Sequence, residues 1–334
     1  MNCSKLASTI RTAFAARISV MIYGPAGVGK SSVVAQVAEA EKLTVIDKRA
    51  SQMDPTDTLG IPSNDGNGRT KWLRPSWLPE SGAGIIFLDE LPNAPVTVQS
   101  ALYQLVLDRR LGDYVLPEAW HVVAAGNRAC DRAAVTELSG PLRSRFWQVE
   151  LAADLDEVRT FGLGKGWRIE VLAFLAFRPE LLQSFDPKTN PRAFPNPRSW
   201  EFVSRVLWAL DPTGAGVTAD ALLTEQLAGL VGDGAGAELS AFLQVWSELP
   251  DPGQILLDPA GAPVPTKPAA RWAICGALAA VTTSQNFRQV ALYGDRLPAE
   301  FAAVLVRDVI ARRPDVRQTR EYVSWVNSHQ NILK

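Results

Sequence analysis

Residues 18–41 read ISVMIYGPAGVGKSSVVAQVAEAE, and the fold class follows from them. The apolar run Ile18–Tyr23 predicts a strand, and Ser31–Glu41 carries a helical pattern. The turn between them, Gly24-Pro25-Ala26-Gly27-Val28-Gly29-Lys30-Ser31, fits G-x-x-x-x-G-K-[ST] at every position. Glycines let the backbone curl until successive N–H groups point inward at phosphate oxygens. The helix that follows adds its positive dipole end. Lys30 brings a point charge to the β and γ oxygens, and the Ser31 hydroxyl can ligate Mg²⁺. The expected nucleotide contacts are therefore Gly24, Pro25, Ala26, Gly27, Val28, Gly29, Lys30, Ser31 and Ser32. An accidental match in a chain this long has odds of roughly one in a hundred, and the strand and helix on either side lower them further.

Outward from this loop, further apolar runs alternate with helical patterns as far as residue 151. The runs are Leu43–Ile46, Gly84–Leu88, Val122–Ala125 and Trp147–Leu151, with Thr97–Leu107 as a second helical stretch. Strands that are apolar throughout, separated by helices, predict a parallel sheet covered on both faces. Beyond Leu151 helical periodicity takes over in Asp156–Thr160, Trp167–Phe177, Ser199–Leu210 and Ala219–Leu230. Prolines at 187, 191, 195 and 197 interrupt it, and the Gly- and Ala-rich stretch 211–236 reads as a loop plus one helix. A Pro-rich segment, Asp251–Pro268, precedes a last helical region, Ala269–Leu333. The expected division is an α/β nucleotide-binding domain over 1–152, a helical lid over 153–250 and a C-terminal helical region over 251–334.

Gly84-Ile85-Ile86-Phe87-Leu88-Asp89-Glu90 is an apolar strand ending in two carboxylates. In an open α/β sheet ligands bind beyond the carboxyl ends of the strands, where these acids would sit. Asp89 is the expected Mg²⁺ holder and Glu90 the group that polarises the attacking water. The next strand, His121–Ala125, runs into Gly126-Asn127, and Asn127 could orient the same water. Asp-Glu after an apolar run, or Asn after Gly, is commonly only a solvated turn. The phosphate loop upstream favours the catalytic reading.

Together with Leu142-Arg143-Ser144-Arg145-Phe146, these residues resemble the AAA+ ATPases with their P-loop core. Ser51-Gln52-Met53-Asp54-Pro55-Thr56-Asp57-Thr58-Leu59-Gly60-Ile61-Pro62 and the run Val98–Gly112 are similar to its MoxR-type, dynein-related branch. The resemblance spans most of residues 15–210. It implies ATP hydrolysis with Mg²⁺, Asn127 as the sensor 1 asparagine, Arg145 as an arginine finger acting in trans, and Arg198 in Pro197-Arg198-Ser199-Trp200 as the sensor 2 arginine. Arg143 is an alternative finger. The resemblance further implies a homohexameric ring that remodels or matures a protein client, with von Willebrand factor A-domain proteins as a client class. It also implies two insertion hairpins. Gly60–Pro79, with its turn-rich Asn64–Gly68, and Leu111–Pro117 have the required pattern. Arg69, Lys71 and Trp72 could grip a polypeptide or stack on a base, whereas Trp77 reads equally well as packing on its own domain.

Composition narrows the alternatives. Lys and Arg total 34 against 35 Asp and Glu, so no global charge draws the chain to nucleic acid or anionic membrane. A nucleic-acid motor is thereby disfavoured; a nucleotide-gated scaffold and a small-molecule kinase are the other rivals. The longest strongly apolar stretch, around Ala273–Val281, is too short for a bilayer. The N-terminal segment reads as an amphipathic helix and not a signal peptide. Cys3, Cys130 and Cys275 have no metal-ligand spacing and predict reduced thiols in a cytoplasmic protein. Neither His121 nor His329 has a partner at metal or acid–base spacing. Trp167, Trp200, Trp208, Trp246, Trp272 and Trp325 lie in helical stretches and read as core.

Overall fold

The computed structural model describes residues 1–128, 138, 140–186, 191–214 and 216–330. Cys130, Pro187 and Leu333 lie outside them. The chain divides into two compact units, Met1–Asp154 and Leu155–Lys334.

The first unit begins with α1 (Cys3–Ala15), capped by Asn2, whose side chain accepts from the Lys5 amide. Leu6, Ile10 and Ala13 form its buried stripe, the amphipathic pattern expected. Then come β1 (Ser19–Tyr23), α2 (Lys30–Glu41), β2 (Thr44–Arg49), α3 (Pro55–Leu59), β3 (Ile61–Asn64), β4 (Thr70–Leu73) and β5 (Gly84–Asp89). After these follow α4 (Val96–Asp108), β6 (Arg110–Leu111), β7 (Tyr114–Val115), β8 (Trp120–Gly126), α5 (Gly140–Arg143) and β9 (Phe146–Glu150). Five strands form one parallel sheet in the order β2-β5-β8-β1-β9. Alternate residues of each strand serve opposite faces. Met21, Ile86, Leu88, Val122 and Ala124 pack with the buried stripe of α4. Val20, Ile22, Ile85, Phe87, Val123 and Ala125 pack against α1 and α2. Burial on both faces is why these strands read as continuous apolar runs. The chain leaves β1 for β2 at one edge, returns through β5 and β8, and ends on the far side of β1. That reversal places a crevice at the carboxyl ends of β1, β5 and β8.

His121, in β8, stacks on Phe14 of α1 with ring centroids 4.0 Å apart. Burial, followed by the Arg109 and Arg17 charges, lowers its pKa below the ordinary 6.5. The unfolded chain therefore takes up this proton first, so the stabilisation is present above about pH 6.5 and is lost as the pH falls through it. Urea midpoints of His121→Phe and the parent chain should differ in pH dependence between pH 7.5 and 5.5, with the variant losing less stability on acidification. Parallel curves would remove His121 from the account.

Every regular element among the described residues of the second unit is a helix. Its elements are α6 (Leu155–Gly164), α7 (Ile169–Phe177), α8 (Pro197–Leu210), α9 (Ala221–Val231), α10 (Asp233–Ser247), α11 (Pro252–Leu257), α12 (Pro268–Val281), α13 (Phe287–Gly294), α14 (Ala299–Arg312) and α15 (Arg320–Ser328). Val171–Ala176 of α7 are buried on every side, so this helix is central in its unit. Proline opens α8, α11 and α12, where a missing N–H costs nothing.

Four expectations change here. Residues 211–236 hold all of α9 and the start of α10, with Gly232 at φ 85° between them. The Pro-rich stretch 251–268 contains α11, capped by the Asp251 side chain. Trp208 is 39% exposed instead of core, because it lies one step beyond the stripe of Trp200, Val203, Ser204 and Leu207. Its ring is covered by the Arg168 guanidinium at 4.8 Å and its indole N–H donates to the Gly166 carbonyl. His329 also acquires a carboxylate neighbour that spacing hid, Asp295 at 3.3 Å.

Candidate functional site

The phosphate loop leaves β1 at Tyr23 and closes at Gly29, whose φ of 103° lies in the left-handed region. No side chain caps the first turn of α2, whose leading N–H groups border the loop. Lys30 is 9% exposed. Its ammonium donates to the carbonyls of Gly24 at 2.8 Å and Pro25 at 3.1 Å and to Asn127 Oδ1 at 3.0 Å. The Gly24 amide donates to the Gly126 carbonyl at 3.3 Å. The structure thus brings Asn127 directly to the phosphate-loop lysine, across the seam between β1 and β8. Val28 is buried, Ser31 half-buried, and Ala26 and Ser32 exposed.

Asp89 ends β5 in register with Arg49 of β2. The Glu90 amide donates to Asp89 Oδ1 at 2.9 Å. Glu90 itself has φ 57°, a left-handed conformation that a non-glycine residue keeps only where its surroundings hold it. Its carboxylate accepts from the Ser51 hydroxyl. Ser51 begins the stretch Ser51–Pro62, whose sequence assigns it no role. Its place beside Glu90 depends on β2 being the neighbour of β5, which sequence order does not reveal. Asp47 of β2 also feels this cluster: burial, then the Asp89 charge, raises its pKa, while Arg49 opposes the shift.

Hard oxygen donors are what Mg²⁺ takes, usually from one or two protein groups plus phosphate oxygens and water. The Ser31 hydroxyl and the Asp89 carboxylate have that chemistry, so the residues present fit the ion.

The two arginines lie elsewhere. Arg143 ends α5, and Arg145 immediately precedes β9. Since β9 runs parallel to β1 with Phe146 opposite Ser19, Arg145 stands at the amino-terminal edge of the sheet, the edge away from the phosphate loop. It is exposed, donates to Ser144 Oγ at 2.7 Å, lies over the Tyr103 ring at 5.7 Å, and meets no carboxylate among the described residues. Arg198 belongs to the second unit. It is exposed in the first turn of α8, behind a capping box of Asn196 and Ser199.

Both sequence-predicted hairpins form. In β3–β4, Ile61 pairs with Leu73 and Pro62 with Trp72; Ile61, Trp72 and Leu73 remain 59%, 40% and 53% exposed. Trp77 is instead half-buried and donates to the Asp57 carbonyl at 2.7 Å, the local packing anticipated for it. In β6–β7, the Tyr114 hydroxyl donates to the Pro79 carbonyl at 2.6 Å, tying the second hairpin to the arm of the first. No helix among the described residues is long and apolar enough to cross a membrane.

Residues 19–146 match the family model of the AAA domain (dynein-related subfamily). No curated protein matches the chain by sequence. Among solved structures, NtrX from Brucella abortus aligns over 92% of this chain and 67% of its own, at 18% identity and a TM-score of 0.44. The Holliday junction branch migration motor RuvB from Thermotoga maritima aligns over 83% and 80%, at 17% identity and a TM-score of 0.40. The segment matched by the family model contains the phosphate loop, both carboxylates at the end of β5, Asn127 and Arg145, and in it the chain is similar to the AAA domains of the dynein-related subfamily.

Proposed function

We propose that the chain hydrolyses ATP at a seam between copies of itself and uses the resulting motion to remodel a protein client. The observation that carries this reading is the position of Arg145, exposed, without a carboxylate among the described residues, and at the sheet edge opposite the chain's own phosphate loop. A guanidinium that stabilises transferring phosphate must reach it. From that edge it serves a neighbour, and a head-to-tail contact of this kind closes into a ring or continues as a filament. The MoxR-type resemblance favours a ring of six.

In the cradle, the backbone amides between Ala26 and Ser32 and the Lys30 ammonium take the triphosphate oxygens, in place of the carbonyls and the Asn127 amide oxygen that now hold Lys30. Ser31 and Asp89 would hold Mg²⁺, which would supply neutralisation of phosphate charge. Glu90 accepts a proton from the attacking water, and Asn127 helps to orient that water. For Arg198 the resemblance favours the sensor 2 role. The exposed Ile61, Trp72 and Leu73, with Arg69 and Lys71, give the β3–β4 hairpin a surface for gripping polypeptide. Among clients, the resemblance favours a von Willebrand factor A-domain protein. Near-neutral net charge supports a protein over a nucleic acid.

Turnover per chain should rise steeply with protein concentration. Affinity capture on Glu90→Gln with ATP should recover a protein client. Concentration-independent turnover, or recovery of nucleic acid alone, would overturn the proposal.

A further inference from the structure

The left-handed backbone at Glu90 opens a short turn, residues 91–93, in which the Asn93 amide donates to the Glu90 carbonyl at 2.9 Å and the Ala94 amide to the Leu91 carbonyl at 3.1 Å. Two features outside the turn fix it in place. The first is Gln99 of α4, only 4% exposed, whose side-chain amide nitrogen donates to the Pro92 carbonyl at 3.3 Å and the Ala94 carbonyl at 3.1 Å. Both hydrogens of that nitrogen are thus committed to the turn. The second is Gly126 at the end of β8: a Cβ there would lie 2.5 Å from Pro92 Cγ, so the absent side chain is what lets the turn seat against the strand that leads to Asn127.

Leu91 and Pro92 are buried, so the turn has no freedom on its inner side. A buried Gln with both donors on backbone carbonyls is a clamp, and removing the donors would leave two carbonyls unsatisfied. The strained residue that this clamp steadies is Glu90, whose carboxylate direction follows from its backbone.

We propose that Gln99 is a positioning residue for ATP hydrolysis, acting through the turn to hold Glu90 at the angle from which it takes the water proton. This rests on the reading of Glu90 as the proton acceptor. Gln99 touches neither the phosphate loop nor Lys30 in the hydrogen bonds described, so its loss should spare nucleotide binding and slow the chemical step.

Gln99→Met keeps the length and removes both donors. Its kcat should fall about tenfold, in keeping with small displacements of a reacting group, while KM and the affinity for ATPγS stay within about twofold. In single-turnover measurements, Gln99→Met added to Glu90→Gln should produce no further loss, because the group being positioned is already gone. An unchanged kcat in Gln99→Met overturns the proposal. So does lost ATPγS binding, which would make Gln99 part of the nucleotide fold, and so does the same tenfold loss in both backgrounds. A Glu90→Gln chain that hydrolyses ATP at the parent rate would instead overturn the Glu90 reading itself, a result distinct from any of these.

Discussion

Glu90→Gln should bind ATP as tightly as the parent chain, within about twofold, and turn it over roughly a hundred- to ten-thousand-fold more slowly. The amide keeps the size of the carboxylate and can still accept from the Ser51 hydroxyl, so the backbone at φ 57° has no reason to move. What it lacks is a lone pair basic enough to take a proton from water in the transition state. On the proposed reading binding rests on different groups: the loop amides, the uncapped first turn of α2, and Lys30. Lys30→Ala should therefore show the opposite pattern, losing affinity first. Its ammonium is the charge nearest the loop carbonyls, and its removal also frees Asn127 from its 3.0 Å contact. Nucleotide titration and steady-state turnover on the two variants separate these effects. A Glu90→Gln chain within about threefold of the parent kcat would move the proton acceptor elsewhere in the site.

The parts of this site that could be read from the sequence are those whose geometry is local. Gly24–Ser31 is one strand–turn–helix unit, and the pattern that identifies it also builds it. Asp89 and Glu90 are legible for the same reason, since they end an apolar strand. Ser51 and Gln99 are different, because their roles depend on pairings at long range: β2 beside β5, and α4 beneath the turn that follows Glu90. No spacing along the chain encodes either. The α9–α10 junction is hidden in the sequence because Gly234 and Gly236 each disfavour a helix by about 1 kcal/mol relative to Ala. Packing decides the matter at Gly236, where a Cβ would come within 2.6 Å of the Ala228 amide nitrogen, so the glycine lets α9 and α10 approach. Trp208 misled in the reverse way. Its helix was correctly placed, but one residue of rotation separates a buried tryptophan from an exposed one.

Arg145→Ala alone should lose about a thousandfold or more in kcat, the scale on which an arginine at transferring phosphate acts, with ATP binding retained. Truncation removes a guanidinium that, among the described residues, is held by the neighbouring Ser144 hydroxyl and the face of Tyr103, so the fold should tolerate it. The decisive measurement mixes two inactive proteins. Arg145→Ala retains an intact cradle, and Lys30→Ala retains an intact arginine but cannot hold nucleotide. If the two groups meet across a seam, some neighbours in the mixture pair a working cradle with a working guanidinium, and turnover reappears with a maximum at intermediate ratios. If Arg145 acted on nucleotide bound to its own chain, no pairing could restore the reaction. Arg143→Ala, carried through the same mixing with Lys30→Ala, decides between the two arginines: the finger is whichever is silent alone and rescued in the mixture. Failure of both to be rescued at every ratio would place catalysis within a single chain and remove the reason for a ring. Since Phe146 is level with the first residue of β1, a single-chain finger would have to reach past the length of the strand to meet the phosphate loop.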